Sequence, residues 1–186
     1  MPEPEDQMSD HLLVAAFKNE QLREVSYTRI VRKYQERLYW HIRRMVLDHE
    51  DTNDILQNVL IKVWKNLAEF REESNLYTWL YRIATNETLT WIEQKKKHIS
   101  VSLSGSEDFF AERLTAQKGF DAQKTEWKLQ QAIQSLPEKQ RLVFNLRYYD
   151  EMPYEQMSEM LGTSEGALKA SYHHAVKKVE AFILNN

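Results

Sequence analysis

The stretch that decides the fold is residues 136–181, which read LPEKQRLVFNLRYYDEMPYEQMSEMLGTSEGALKASYHHAVKKVEA. Pro153 stands where the first turn of a helix tolerates a residue without an N–H group. Gly162, Thr163 and Ser164 then interrupt the apolar pattern, because Gly suits a left-handed C-terminal position and Ser suits the N-cap of a following helix. The pattern predicts a helix-turn-helix unit, whose second helix can enter a DNA major groove. The alternative is an ordinary helical hairpin of the kind that is common in all-α domains.

The composition is typical of a soluble, helical protein. Of the 186 residues, 42% are apolar and 28% are charged, with only four Gly and four Pro, which excludes a disordered or membrane-embedded chain. No run approaches the roughly 18 consecutive apolar residues of a membrane span. Cysteine is absent from the sequence, which excludes disulfides, thiolate metal sites and thiol nucleophiles. The acidic N-terminus lacks a secretory apolar segment, so we expect a cytoplasmic protein.

The charge of the chain is unusual for a protein that would bind DNA by itself. Lys and Arg number 15 against 16 acidic residues in residues 1–98, 3 against 4 in residues 99–124, and 7 against 8 in residues 125–186. Neutralised phosphates supply most of the non-specific affinity for DNA, so a protein that binds DNA alone usually carries a basic surface. We therefore expect weak binding to free duplex. Either a partner supplies the affinity or DNA is not the ligand.

Helical periodicity also fills the N-terminal half of the chain. A short helix is predicted from Ser9 or Asp10, a long one over about residues 24–48, a third with its caps at residues 51–53, and a fourth over about residues 76–97. The third helix has more apolar surface than one core face needs. This surplus permits a partner surface on its side that carries Gln57, Leu60, Ile61 and Trp64.

The fourth helix mixes aromatic, polar and basic side chains. Rings stack on unpaired bases and cations hold the nucleic-acid backbone, so this mixture suits single-stranded DNA. The alternative is that the rings fill the core of a small bundle. The residues concerned are Tyr77, Trp79, Tyr81, Arg82, Asn86 and Trp91, followed by Lys95, Lys96 and Lys97.

Periodicity is lost over residues 99–124, where Ser, Gly and acidic residues indicate a flexible linker. Phe109, Phe110 and Leu114 within it could dock on a partner, and helicity resumes at Thr125. The sequence therefore predicts an all-α protein of two small helical domains joined by a linker, the second containing the helix-turn-helix.

Three blocks of this sequence resemble a known family in the same order. They are DTNDILQNVLIKVW at residues 51–64, FREESNLYTWLYRIATN at residues 70–86, and the helix-turn-helix stretch itself. From about Ser9 to Phe182, the chain resembles bacterial RNA polymerase sigma factors of the minimal, extracytoplasmic-function (ECF) group. The resemblance implies a sigma factor that binds core RNA polymerase, recognises and melts promoter DNA, and directs promoter-specific transcription initiation.

The resemblance also assigns roles to domains and residues. Residues 1–98 would be a region 2-like domain that docks on polymerase and reads and melts the minus-ten element. Residues 99–124 would be the linker, and residues 125–186 a region 4-like domain that reads the minus-thirty-five element. The implied polymerase contacts are Asp54, Gln57, Leu60, Lys62 and Trp64. The implied minus-ten contacts, called the minus-ten set below, are Phe70, Arg71, Asn75, Leu76, Trp79, Arg82 and Asn86. Near the minus-thirty-five element, Arg141, Thr163 and Ser164 would touch phosphates, and Lys169, Ala170, His173 and His174 would meet base edges.

Core polymerase and promoter DNA are thus the implied partners, and the polymerase would supply the affinity that the charge does not. The resemblance further implies an anti-sigma factor, often membrane-tethered, whereas the chain itself is not expected to insert into a membrane. Self-masking, in which the two domains pack together through the Phe109–Phe110 linker, is the alternative means of restraint. Asn58 replaces an acidic residue that is frequent in the family, which would weaken the implied polymerase contact. Ser171, His174 and Val176 stand where the family often has Arg, so the base preference of the recognition helix cannot be transferred.

Catalytic motifs are missing from the sequence. It has no Gly-rich phosphate loop, nucleophile elbow or metal-ligand cluster. His173 and His174 are adjacent on a helix and point about 100° apart, which suits one metal poorly. We therefore expect no enzyme, no metal site and no cofactor. Two other functions fit part of the chain: a helix-turn-helix regulator that binds duplex DNA as a dimer, and a helical interaction protein that does not bind DNA.

Overall fold

The computed structural model describes residues 8–102 and 124–185, which form eight α-helices. The predicted all-α class is confirmed. Residues 103–123 of the predicted linker, including Phe109 and Phe110, lie outside the described residues, whereas residues 99–102 continue the fourth helix past its predicted end near residue 97. We call residues 8–102 the N-terminal bundle and residues 124–185 the C-terminal domain.

The N-terminal bundle consists of α1 (Asp10–Lys18), α2 (Arg23–Val46), α3 (His49–Asn66) and α4 (Leu76–Ser102), with a 3-10 turn at Leu67–Glu69. Helix α2 is central and packs against the other three helices. The apolar spacing seen in the sequence becomes the core face of each helix. Buried side chains on these faces include Phe17, Ile30, Leu38, Ile42, Val59, Val63, Leu80 and Ile92.

The start of α3 differs from the prediction. The predicted caps were residues 51–53, but the helix begins at His49, one residue after the extended Asp48. The carboxylate of Asp48 accepts a hydrogen bond from the backbone N–H of Asp51 at 2.9 Å. Leu47 ends α2 in the left-handed conformation, with φ of 64°. The chain therefore reverses within two residues, and a short connection between α2 and α3 is sufficient.

The C-terminal domain consists of α5 (Lys124–Gln134), α6 (Glu138–Tyr148), α7 (Tyr154–Leu161) and α8 (Glu165–Asn185). Helix α7 ends at Gly162, which has φ of 63°, and Ser164 Oγ accepts a hydrogen bond from the N–H of Ala167 at 3.3 Å. The left-handed Gly and the Ser cap are those predicted from the sequence, and α7 and α8 form the helix-turn-helix.

The two parts pack directly against each other, α7 on α4 and α6 on α2. Leu142, Leu146 and Met157 of the C-terminal domain belong to the same apolar core as the buried residues of α2 and α4. Of the helices in the described ranges, none is both long enough and apolar enough to cross a membrane.

Candidate nucleic-acid interface

The turn and the first half of α8 form an exposed polar surface. Leu168, Ala175 and Val179 are buried on the opposite face of α8, so the helix is anchored through its apolar residues. Such an anchored helix leaves its outer face available to a DNA groove. Six predicted minus-thirty-five residues lie exposed here: Thr163, Ser164, Lys169, Ala170, His173 and His174.

Arg141, the seventh predicted minus-thirty-five residue, has a different environment. It is 4% exposed, and its Nη1 donates to the side-chain oxygen of Gln134 at 2.5 Å. Burial lowers the pKa of its guanidinium, and Glu138 opposes that shift. In this arrangement Arg141 joins the end of α5 to α6, so the predicted phosphate contact requires the Gln134 side chain to move.

The loop before α4 is built around buried apolar residues. Phe70 and Leu76 are 7% and 2% exposed, and the ring of Phe70 packs on that of Trp79 with centroids 5.1 Å apart. The side-chain oxygen of Asn75 caps α4 by accepting from the N–H of Thr78 at 2.8 Å. Of the minus-ten set, Arg71, Asn75 and Asn86 are exposed, whereas Trp79 and Arg82 are half-buried. Phe70 and Leu76 shape this loop from within.

Of the other aromatic side chains of α4, Tyr81 belongs to the interior, and Tyr77 and Trp91 are half-buried. Tyr81 is 1% exposed, and burial together with the nearby carboxylate of Asp150 raises its pKa. Tyr77 packs on Tyr81 with ring centroids 4.3 Å apart. For Tyr81, the sequence left base stacking and core packing open, and the structure places it in the core.

Helix α7 covers part of the minus-ten set. Arg82 Nη2 donates to the backbone oxygen of Glu159 at 2.9 Å, and its guanidinium lies 3.6 Å from the Glu159 carboxylate. A cleft of about 560 Å³ opens beside this contact, between the loop before α4 and α7. Its wall contains the acidic side chains of Asp10, Glu72, Glu73, Glu155 and Glu159. A DNA strand would meet like charge here while the two domains are together.

One face of α3 presents an apolar and polar surface away from these sites. Trp64 is 38% exposed and packs edge-on against Phe17 and Tyr27, with centroids 5.3 and 4.9 Å away. Tyr27 OH donates to the backbone oxygen of Leu60 at 2.7 Å, and burial raises the pKa of Tyr27 to about 12. Asp54, Gln57 and Lys62 are exposed on the same helix, and Leu60 is half-buried.

A buried polar cluster joins the two domains, and the sequence reasoning did not identify it. Asp150, in the turn between α6 and α7, contacts His41 and Arg44 of α2 and Tyr81 of α4. Its partners are 69 to 109 positions away in the chain, so no local spacing signals the contact. Among the described residues, no group of three or more His, Asp or Glu side chains has the geometry of a metal site.

Comparisons with known proteins match both domains to one family. The model of sigma-70 region 2 matches residues 30–98, and that of sigma-70 region 4 matches residues 126–179. The ECF sigma factor SigW of Bacillus subtilis is 29% identical over 156 residues, covering 80% of this chain and 83% of SigW. The ECF sigma-E factor of Escherichia coli K12 is 25% identical over 183 residues, covering 94% of each chain.

Solved structures share the fold at lower identity. CnrH, solved in complex with the cytosolic domain of CnrY, superposes with a TM-score of 0.67 at 18% identity, covering 95% of this chain and 98% of CnrH. The sigma factor RpoE of Bartonella quintana, solved with the anti-sigma factor NepR, has a TM-score of 0.66 at 17% identity, covering 84% of this chain and 96% of RpoE.

Proposed function

The chain belongs to the ECF group of sigma-70 factors, which bind core RNA polymerase and direct promoter-specific transcription initiation, and we propose that its two domains divide this work. Residues 1–98 dock on polymerase and read and melt the minus-ten element. Residues 125–186 read the minus-thirty-five element, and residues 99–124 link the two. The sigma factor family is not a catalytic one, and we assign this chain no active site of its own.

The observation that carries the minus-thirty-five assignment is the exposed polar face of α8 above a buried apolar face. Lys169, Ala170, His173 and His174 project from the first half of the helix, the part that reaches base edges in a helix-turn-helix complex. Thr163 and Ser164 in the preceding turn suit phosphate contacts. Arg141 joins them once Gln134 releases it.

For polymerase docking, the supporting observation is Trp64. A half-exposed Trp flanked by the exposed Asp54, Gln57 and Lys62 combines an apolar anchor with a polar rim, which is the usual composition of a protein interface. Leu60 extends the apolar part. This surface lies on α3 and remains open while the two domains are packed together.

The loop before α4 and the outer side of α4 recognise the minus-ten element. Arg71, Asn75 and Asn86 are exposed, and Trp79 and Arg82 lie beside them. Phe70 and Leu76 hold the loop in shape from below. Exposed amides and a partly exposed ring suit the capture of unpaired bases.

Restraint by an anti-sigma factor is part of the proposal, because RpoE of Bartonella quintana, which shares this fold, was solved with one. A membrane tether on such a partner would leave this chain itself in the cytoplasm. The surface of Trp64 and the outer face of α8 are the two regions that a partner would have to cover.

Promoter selection from a randomised library tests the residue assignments. Holoenzyme with wild-type chain should enrich a minus-ten and a minus-thirty-five sequence. His173→Ala should relax the minus-thirty-five preference by roughly 5- to 150-fold and leave the minus-ten preference intact, because one lost base contact costs about 1–3 kcal/mol of discrimination. Lys177→Ala, an exposed change later on the same helix, is the matched control. An unchanged minus-thirty-five preference in the His173→Ala holoenzyme would refute the assignment of that residue.

A further inference from the structure

Asp150 is the centre of the contact between the two domains. Its side chain is 5% exposed, and one carboxylate oxygen accepts a hydrogen bond from Arg44 Nη1 at 2.9 Å. The other oxygen lies 3.1 Å from Nδ1 of the fully buried His41, whose Nε2 lies 2.9 Å from the hydroxyl of Thr85. Tyr81 OH donates to the carboxylate at 3.4 Å. Three side chains of the N-terminal bundle therefore converge on one carboxylate of the C-terminal domain.

Further contacts surround Arg44. Its guanidinium lies 4.3 Å from the ring centroid of Tyr149, and Gln134 Nε2 donates to its backbone oxygen at 3.1 Å. Hydrogen bonds in which a partner is ionised are stronger than neutral ones. Removing one partner of a buried charge pair leaves the other charge unpaired, which is strongly unfavourable. A change at Asp150 therefore disfavours the packed arrangement, in which Arg44 would lose its charged partner, relative to a separated one in which Arg44 is hydrated.

The packed arrangement places α7 on a residue of the minus-ten set. The Glu159 carboxylate lies 3.6 Å from the Arg82 guanidinium and supplies the anion that a DNA phosphate would supply under the proposed function. Thr78, one turn earlier on α4, lies 3.5 Å from the side-chain oxygen of Gln156 on α7. A DNA phosphate would have to displace the Glu159 carboxylate to pair with Arg82.

The spacing of promoter elements is a second reason why the packed arrangement cannot bind a promoter, and this reason rests on the proposed function. The minus-ten and minus-thirty-five elements lie about 25 base pairs apart, or about 85 Å of B-form duplex at roughly 3.4 Å per step. In this structure Arg82 of the first domain touches Glu159 of the helix-turn-helix. Domains in contact cannot read two elements so far apart at the same time, so the packed arrangement is incompatible with promoter binding.

We propose that Asp150 latches the chain in an autoinhibited closed arrangement, in which α7 occupies Arg82 in place of the promoter strand. Promoter DNA binds the open arrangement, so its binding free energy must offset the latch, whereas the polymerase surface on α3 is exposed in the closed arrangement as well. The apparent affinity of any ligand of the open arrangement is reduced by the fraction of chains that are open. Weakening the latch raises that fraction and leaves both reading surfaces intact.

Interdomain distances measured by pulsed electron spin resonance test the latch on the full chain. Because the sequence has no cysteine, Gln35→Cys and Lys177→Cys give two specific spin-label sites at exposed positions, one on each domain. The otherwise wild-type chain should give one short, narrow distance distribution. Asp150→Asn should add longer distances, with the open-to-closed ratio raised roughly ten- to a hundredfold, the usual effect of a lost hydrogen bond to a charged group. Glu151→Gln, which removes an exposed neighbouring carboxylate, should leave the distribution unchanged.

A second pair of variants changes exposed side chains and leaves the buried cluster untouched. Glu159→Lys places a cation against Arg82 and should open the chain, whereas Glu180→Lys makes the same charge change on an exposed position of α8 and should not. The latch is refuted if the labelled chain without these changes already shows broad, long distances. It is also refuted if Asp150→Asn and Glu159→Lys both keep the short distance. Transcription by the same chain with core polymerase is read separately, so its absence counts against the proposed function and not against the latch.

Discussion

Trp64 contributes to the bundle and to its outer surface at once. Its ring packs on Phe17 and Tyr27, yet 38% of the residue is exposed. We predict that Trp64→Ala lowers the affinity for core polymerase about thirtyfold or more, the effect of losing an interface hot spot, and costs about 1–2 kcal/mol of stability. Trp40→Ala removes a Trp that is 46% exposed on α2 and should change polymerase affinity by only about twofold. Equal losses of polymerase affinity in the two variants would show that the docking surface is not centred on Trp64 of α3.

Asn86 is exposed on α4. Within the described residues its side-chain amide makes no hydrogen bond that would stabilise the fold. We predict that Asn86→Ala leaves polymerase binding intact and reduces open-complex formation roughly five- to a hundredfold, the range for losing one captured base. Permanganate reactivity of the melted region measures this. Thr90→Ala, one turn further along the same helix, is the control. Normal melting by the Asn86→Ala holoenzyme would show that Asn86 does not act on the open strand.

The exposure of single side chains is predictable from the sequence at some positions and not at others. The exposed face of α8 follows from its helical period, because burying Leu168, Ala175 and Val179 fixes which side faces outward. Arg141 lies in the helix-turn-helix stretch as well, and the resemblance implied a phosphate contact for it. Whether its guanidinium reaches solvent depends on side chains that are close in space. Here Gln134 engages it. Tyr81 and Trp79 are equally aromatic in sequence, but Tyr81 is buried against His41 of α2 and Asp150 of the turn between α6 and α7.

The turn of the helix-turn-helix depends on the conformation of Gly162. Its φ is +63°, and a Cβ there would meet nothing within 4 Å. We predict that Gly162→Ala destabilises the chain by about 1 kcal/mol through backbone strain alone. Gly166→Ala, in the first turn of α8 where space is also open, should instead stabilise it by up to about 1 kcal/mol, because Ala loses less entropy in a helix. Urea unfolding measures both. Effects of the same sign would contradict this view of the turn.

Helices and turns were largely predictable because their signals are local. The apolar period predicted α2, α3, α4, α7 and α8, and the Gly162–Ser164 turn was placed correctly. The start of α3 was not placed correctly, because Asp48 and residues 51–53 are all suitable N-cap residues and the sequence does not show which of them is used. The left-handed Leu47 decided it by bringing Asp48 into position. A left-handed Leu has no sequence signature.

The arrangement of the two domains was the least predictable feature of the whole molecule. Asp150 reads as an ordinary acidic turn residue, and His41 lies 109 positions away from it. Self-masking through the Phe109–Phe110 linker is one of two alternatives from the sequence. The structure has the two domains packed together through their helices, and that linker lies outside the described residues. That packing arises from shape and from one shared core, which no local pattern encodes.

Affinity for DNA should depend on the partner, because the net charge of −3 gives the chain little attraction for phosphates and α7 covers Arg82. We predict that the isolated chain binds promoter duplex with a Kd weaker than about 1 μM at physiological salt, in the range of non-specific binding. Fluorescence anisotropy of a labelled promoter measures this, with holoenzyme as the comparison. Nanomolar, sequence-specific binding by the chain alone would instead support a stand-alone regulator.

The most direct measurement is transcription in vitro by core polymerase on a pool of fragments from the genome that encodes this chain, with and without the chain added. We predict that the chain causes initiation at a limited set of start sites that share sequences near positions minus ten and minus thirty-five. Trp64→Ala should remove these transcripts, and Trp40→Ala should retain them. The same transcripts with and without the chain, or added transcripts with no shared upstream sequence, would contradict the account.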